Sequence, residues 1–430
     1  MGWLYATGSA LYGEILAYWT FVPWRSPFID TAVIPGWIRC WREHGLLVYT
    51  DASWGACGLG PIIYSPLWLR LGFVPTDPAW TIRLGLGLAS LFLLSLGLLP
   101  ASRRRGDRIV TILATFSCLP VFAVERGNVD LIIFLLAVGA GLCLGFTIGR
   151  RVLGYALMLL GGLLKFYPLV LLAMLLRERV AALLALGCAA AAIVAASAWF
   201  LLDELQRLTP VPGGAPFHNL WGARNLTTGF PVLLRDLLDA AGVSQPTTDA
   251  LAQPRLVSAI VAAVLMAATL VTALRLARAG DMRATLRAIP NRTYQFLLIG
   301  GFLVTGCFFA GQSIGYRGVF LLLILPGMLA LYRASGRRRL FAGTIAAMLC
   351  VAWELTARHL AADVFGGSYY PVEGSAAVCL VWLVQELAWW WLVTILLAIQ
   401  FVFVADAPVW RVLRQMVPAH GVGLAEPPPI

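Results

Sequence analysis

The sequence predicts an all-α integral membrane protein: about ten transmembrane helices in one polytopic domain over 1–430, with a broken re-entrant hairpin. Three observations carry this. Of 430 residues, 60% are hydrophobic and only 12% charged, whereas soluble domains hold about 25% charged residues. Mean hydropathy is +0.82, and apolar runs near spanning length recur along the chain. Sixteen tryptophans suit a membrane–water boundary, where indole rings concentrate.

The apolar runs cover 3–22, 79–99, 109–124, 129–147, 180–201, 256–277, 294–309, 319–332, 340–357 and 376–404. No basic stretch precedes 3–22, so it reads as a retained helix rather than a cleaved signal. The run 319–332 is short. Between the runs lie two larger loops, 23–78 and 203–255.

Charge placement orients the bundle. Net charge is +11 and the isoelectric point about 9.6. With the amino terminus inside, the inner segments (103–108, 149–151, 177–179, 275–292, 333–339 and the tail) hold 19 arginines and five acids. The outer loops hold 11 arginines and thirteen acids. The basic excess is thus a positive-inside signal, and no nucleic-acid partner is expected. Both termini are placed in the cytoplasm and both large loops outside.

This assignment requires 152–176, "VLGYALMLLGGLLKFYPLVLLAMLL", to enter and leave on one side, because arginines flank it at both ends. It reads as two half-helices meeting at Lys165-Phe166-Tyr167-Pro168, since proline disfavours helix at the residue before it. Lys165 is the only lysine; the other 31 basic residues are arginine. A charge at membrane depth belongs inside protein or beside a water-filled cavity and marks a site. The alternative, a snorkelling lysine, fits a hairpin tip poorly.

The inner loops are too short for a nucleotide-binding domain, and no Walker motif or dinucleotide fingerprint stands between a strand and a helix. The four histidines are scattered without ligand spacing, so no metal or other cofactor is expected. Candidate polar groups face outward. Asp30 in "RSPFIDTAV" is a candidate general base or a solvated loop residue, with Asp51 its nearest competitor. "VFAVERGNVDLIIF" sets Glu125, Arg126, Asn128 and Asp130 in a tight turn, more polar groups than a turn needs. "GQSIGYRG" sets Gln312, Tyr316 and Arg317 before a helix; the arginine suits a phosphate or lipid headgroups. "NLWGARNLTTGF" offers His218, Arg224, Asn225 and Thr227, and Asn225-Leu226-Thr227 is a formal glycosylation tripeptide. "VIPGWIRCWREHGLLVY" places Trp37 and Trp41 on one helical face with Ile34 and Ile38, an interfacial helix that anchors or covers a lipid substrate. Cys40 and Cys57 share this loop and can pair if it faces an oxidising compartment. Glu14, Glu354 and Glu386 lie in apolar runs, as hydrogen-bonding groups or a proton path.

In order, "WREHGLLVYTD", "IIYSPLWLRL", "FAVERGNVDLIIFLL", "GGLLKFYPLVLLAMLLRER", "RNLTTGFPVLLRDLL" and "YRGVFLLLILPG" resemble the polytopic C-superfamily (GT-C) glycosyltransferases. The resemblance is to glycosyltransferase family 87, the polyprenyl-phosphate-mannose-dependent type. It implies an outward cavity in a bacterial plasma membrane and a polyprenyl-phosphate-sugar donor. It implies inverting transfer of a hexose, mannose first, to a lipid or glycan acceptor. By the resemblance Asp30 is the general base, and Lys165, Arg126 and Arg317 hold the donor phosphate. Asn128, Asp130, Tyr167, Gln312, Tyr316 and Asn225 contact substrate. The rival expectation is a transporter or flippase of lipid-linked glycans. It would tolerate loss of the Asp30 charge and depend on Glu14, Glu354 or Glu386.

Overall fold

The computed structural model describes residues 10–20, 27–101, 104–208, 217, 220–243, 253–371, 373–410 and 412. Helices dominate, as backbone groups in lipid must be satisfied within their own segment. After α1 (Ala10–Ala17), the first large loop folds into α2 (Ile29–His44), a 3-10 turn (Gly45–Tyr49), α3 (Ser53–Cys57) and a second 3-10 turn (Pro66–Arg70). Then come α4 (Trp80–Leu96), α5 (Arg105–Thr115), α6 (Cys118–Arg126), α7 (Asp130–Cys143), α8 (Ile148–Lys165), a 3-10 helix (Tyr167–Arg177) and α9 (Val180–Phe200). The second large loop holds α10 (Leu202–Arg207), β1 (Leu220–Trp221) and α11 (Ala223–Ala240). The chain ends with α12 (Pro254–Arg278), α13 (Gly280–Ala288), α14 (Asn291–Ala310), β2 (Ser313–Ile314), a 3-10 turn (Gly315–Phe320), α15 (Leu321–Ala334), α16 (Arg338–Ala352), α17 (Glu354–Phe365) and α18 (Ala376–Ala405).

The protein is a multi-pass membrane protein built almost wholly of helices, with one short two-stranded pairing. Among the described residues, five helices are long and apolar enough to cross a bilayer: α9, α12, α14, the continuous 315–334 segment and α18. The count reaches seven if the bent pairs α5–α6 (45°) and α16–α17 (68°) each make one span. Among the described residues the count is thus five to seven, against the expected number of about ten. Each remaining run carries a helix, but α4 has 17 residues, α7 has 14 and the described part of the first run has eight. At 1.5 Å per residue a 14-residue helix covers only about 21 Å of a core about 30 Å thick.

Burial separates centre from rim. In α14 and the 315–334 segment 78% and 83% of the span is buried, against 6% in α9 and 11% in α12. The first pair forms the core; the second pair lies at the rim. Gly300 and Gly327 permit close approach in that core, since Cβ atoms there would lie 2.7 Å from Ile324 and 2.6 Å from Leu297.

The chain reverses at Phe166, which has φ 56°. The arms run antiparallel: Tyr155 Oη donates to Glu178 Oε1 at 2.8 Å and Arg151 Nε lies 3.1 Å from the same oxygen. The first arm is a helix of 18 residues, about 27 Å long. The second differs from a half-helix of the α type: it is 3-10 over 11 residues, a form rarely sustained beyond a single turn.

Ion pairs sort the loops into two sides. Arg70 pairs with Glu204, joining the two large loops. At the other side Arg333 pairs with Asp107, Arg337 with Asp281, and Arg283 and Arg287 with Asp406. The hairpin bridges the two levels, with its base at Arg151 and Glu178 and its tip, Lys165, against Asp130.

Cys40 and Cys57 form a disulfide with Cα atoms 5.7 Å apart. It ties α2 to α3 across a separation of 17 residues. Replacing both with serine is expected to lower stability by about 3 kcal/mol through the added freedom of the unfolded loop. A thermal melt of the double variant beside wild type in one detergent checks this.

Candidate functional site

The turn after α6 is built by Gly127, at φ 58°, a left-handed conformation that glycine adopts without steric cost. A Cβ there would fall 2.0 Å from Thr31 Oγ1. That room lets α2 dock on the turn: Phe28 N donates to Glu125 O at 2.7 Å and Thr31 Oγ1 to Gly127 O at 2.8 Å. Asp30, on the first turn of α2, is thereby delivered to Asn128, whose Nδ2 donates to Asp30 Oδ2 at 2.6 Å. Arg126 Nη1 lies 3.8 Å from Asp30 Oδ1.

Asp130 begins α7 and is fully buried. Lys165 Nζ lies 2.8 Å from its Oδ1, Tyr167 Oη donates to the same oxygen at 2.6 Å, and Arg317 Nε stands 3.6 Å from Oδ2. The positive φ of Phe166 turns the chain so that its two neighbours converge on one oxygen. Non-glycine residues hold such a backbone at a cost and do so mostly at functional sites. Lys165 also donates to Asn128 Oδ1 at 3.4 Å. One hydrogen-bonded network therefore runs from Asp30 through Asn128 and Lys165 to Asp130.

Of the residues expected at the site, Asp30, Arg126, Asn128, Asp130, Lys165, Tyr167, Tyr316 and Arg317 come together. The Lys165 ammonium lies over the rings of Tyr64 and Tyr316, at 4.7 and 5.7 Å. Lys165, expected at the donor phosphate, has a side chain 3% exposed and pairs with Asp130. The cations with exposed surface are Arg126 (13%) and Arg317 (21%), beside Asp30 at 23%. Gln312 is half-buried next to β2. Asp51 is exposed in the turn before α3 and no contact joins it to the network.

Asn225, expected to contact substrate, lies apart from this network. It is fully buried on α11 and its Nδ2 donates to Glu386 Oε1 and to Leu220 O, the latter at 2.9 Å. That burial also closes the glycosylation tripeptide to a modifying enzyme. Its influence on the site is indirect: β1 pairs with β2 through Trp221 and Ser313, and Ser313 Oγ accepts from Arg317 Nη1 at 3.1 Å. His218 lies outside the described residues. Glu354 is buried and paired with Arg358, whereas Glu14 is exposed on α1. These carboxyls do not form one path among the described residues.

Two participants escape sequence reasoning. Tyr64 carries no signal beyond an aromatic in an outer loop, yet its ring backs the Lys165 ammonium. Ser313 looks like turn filler, yet it orients Arg317.

The electrostatics give Asp30 its chemical character. Burial pushes its carboxyl above the ordinary carboxylate range, with Asp130 adding to the rise. The Asn128 hydrogen bond, Arg126 and Lys165 pull the other way without cancelling it. A carboxylate raised in this manner accepts a proton more readily. Among the described residues no cluster of three or more His, Cys, Asp or Glu has the geometry to hold a metal. Comparison of the chain with protein-family models, with curated proteins and with solved structures found no match.

Proposed function

We propose that the protein is an inverting hexosyltransferase that takes its sugar, mannose first, from a polyprenyl-phosphate donor at the outer face of a bacterial plasma membrane. The observation that carries this is the Asp30 carboxyl, held by Asn128 at 2.6 Å, with two partly exposed arginines beside the network. The Cys40–Cys57 disulfide supports an outward placement of that side, because such bonds persist in oxidising compartments. Both termini are then cytoplasmic, and the three helices below spanning length complete a bundle of about ten by tilting or thinning the bilayer.

In this mechanism Asp30 removes the proton from an acceptor hydroxyl of a lipid or glycan. The oxygen attacks the anomeric carbon through an oxocarbenium-like state, and the configuration inverts. Arg126 and Arg317 stabilise the charge on the departing polyprenyl phosphate. Asp130, with Lys165 and Tyr167, holds Asn128 and Arg317 in place behind them.

Purified protein, a radiolabelled polyprenyl-phosphate hexose and membrane extract test the reading. Label in a new product supports it. Lipid binding with no product from mannose, glucose or arabinose donors would transfer the argument to a flippase.

The pH profile tests the base. Activity is expected to fall with acid through a limb above about 3.9, the usual aspartate value, since burial raises Asp30. Arg126→Ala should move that limb further up, because removing a cation disfavours the carboxylate. Stability has the matching sign. A raised folded value means the Asp30 contribution is most favourable below the unfolded value and declines as pH rises through the folded one. A limb that stays still in Arg126→Ala counts against Asp30 as the titrating group.

A further inference from the structure

A cleft of about 480 Å³ opens among the arginine-rich loops and shares no lining residue with the Asp30 network. Three guanidiniums line it from two elements: Arg177 at the end of the hairpin, and Arg283 and Arg287 on α13. Asp406, just after α18, is its one acid. Arg283 Nε and Arg287 Nη2 lie 3.1 and 3.5 Å from its two oxygens. Arg177 engages the Gln295 amide at 3.2 Å when that amide presents its oxygen. The lining therefore keeps two positive charges beyond what Asp406 neutralises. The other described acids on this side, Asp107, Glu178 and Asp281, are taken by other arginines.

The cleft does not end at its polar groups. A second cavity of about 350 Å³ shares Arg283 and Val402 with it, adds a further guanidinium in Arg278, and is otherwise lined by apolar groups, among them Leu274 on α12 and Phe401 on α18. Leu274 in its wall is exposed, so this cavity opens at the surface of the span α12. A cationic mouth continuous with an apolar slot fits a molecule with an anionic head and a hydrocarbon tail. Basic pockets between membrane helices at this level attract anionic headgroups.

We propose that this cleft binds the phosphate headgroup of an anionic phospholipid, with an acyl chain in the slot between α12 and α18. The guanidiniums donate to phosphate oxygens in planar forks. The lipid would thereby pin α13 and the hairpin base to the end of α18. The proposal is independent of sugar transfer.

Phosphatidylglycerol, phosphatidylcholine of the same chains, and inorganic phosphate are added separately to purified full-length protein in detergent. Thermal midpoint and bound lipid by native mass spectrometry are read. The expected result is a saturable rise with phosphatidylglycerol alone. Arg287→Glu, at a side chain 71% exposed, should weaken that lipid by about an order of magnitude, the effect of removing one charge and adding its opposite. Asp406→Asn should strengthen it, although two ion pairs are lost. A site that is merely structural would lose stability in Asp406→Asn without tighter binding. Equal stabilisation by phosphatidylcholine, or by inorganic phosphate alone, or weaker binding in Asp406→Asn, would overturn the proposal.

Discussion

Asp30→Asn is expected to lower sugar transfer by about 10²- to 10⁴-fold, the usual range for removing a general base. The fold should survive, because an amide at this position can turn its oxygen toward Asn128 Nδ2, which now donates to Asp30 at 2.6 Å. Asp30→Glu should keep a small residual activity, since one added methylene displaces the carboxylate from its geometry. Asp51→Asn is the matched control. Asp51 is exposed and outside the network, so its neutralisation should leave the rate near wild type. Donor binding should persist in Asp30→Asn, because the arginines remain. Full transfer by Asp30→Asn would remove the base from the mechanism, and loss in Asp51→Asn would move the role to the second aspartate.

The second large effect belongs to Lys165. Lys165→Met removes the cation from a carboxylate that is 0% exposed and is expected to cost about 3 kcal/mol, at the lower end for breaking a buried pair. The lower end applies because Asp130 keeps the Tyr167 hydroxyl at 2.6 Å and Arg317 at 3.6 Å. Adding Asp130→Asn should recover part of that loss, since no unpaired carboxylate then remains buried and Arg317 keeps some exposed surface. Transfer should stay low in the double variant, because Arg317 and Asn128 lose the groups that hold them. Melts of both variants and wild type in one detergent decide it. A neutral Lys165→Met would mean that the ammonium reaches water instead of pairing, the snorkelling alternative.

Much of the site was legible as composition out of place. A lone lysine in an apolar run, and four polar groups in a turn that needs fewer, are costly in lipid unless they meet. They do meet: Lys165 reaches Asp130 at 2.8 Å and Asn128 at 3.4 Å. The role of Lys165 was not legible in the same way. A free cation and a paired one have the same letter, and only the positive φ of Phe166 aims Lys165 and Tyr167 at one carboxylate. Asn225 shows the reverse case: polar and in an outer loop, it turns inward because Glu386 on α18 offers a buried partner.

The sequence alone determined the class, the sorting of arginine-rich from arginine-poor loops and the break at the hairpin tip. Those follow from local terms: hydropathy per residue, arginine counts per loop and the restriction before Pro168. Only the tertiary structure decided the number of helices long enough to span, the 3-10 form of the second arm, and which cations of the site keep exposed surface. Those depend on contacts between segments far apart in the chain, such as Phe28 to Glu125 and Trp221 to Ser313. Pairings at such separations are set by packing and by the need to satisfy buried polar groups together, and no single stretch of residues encodes them.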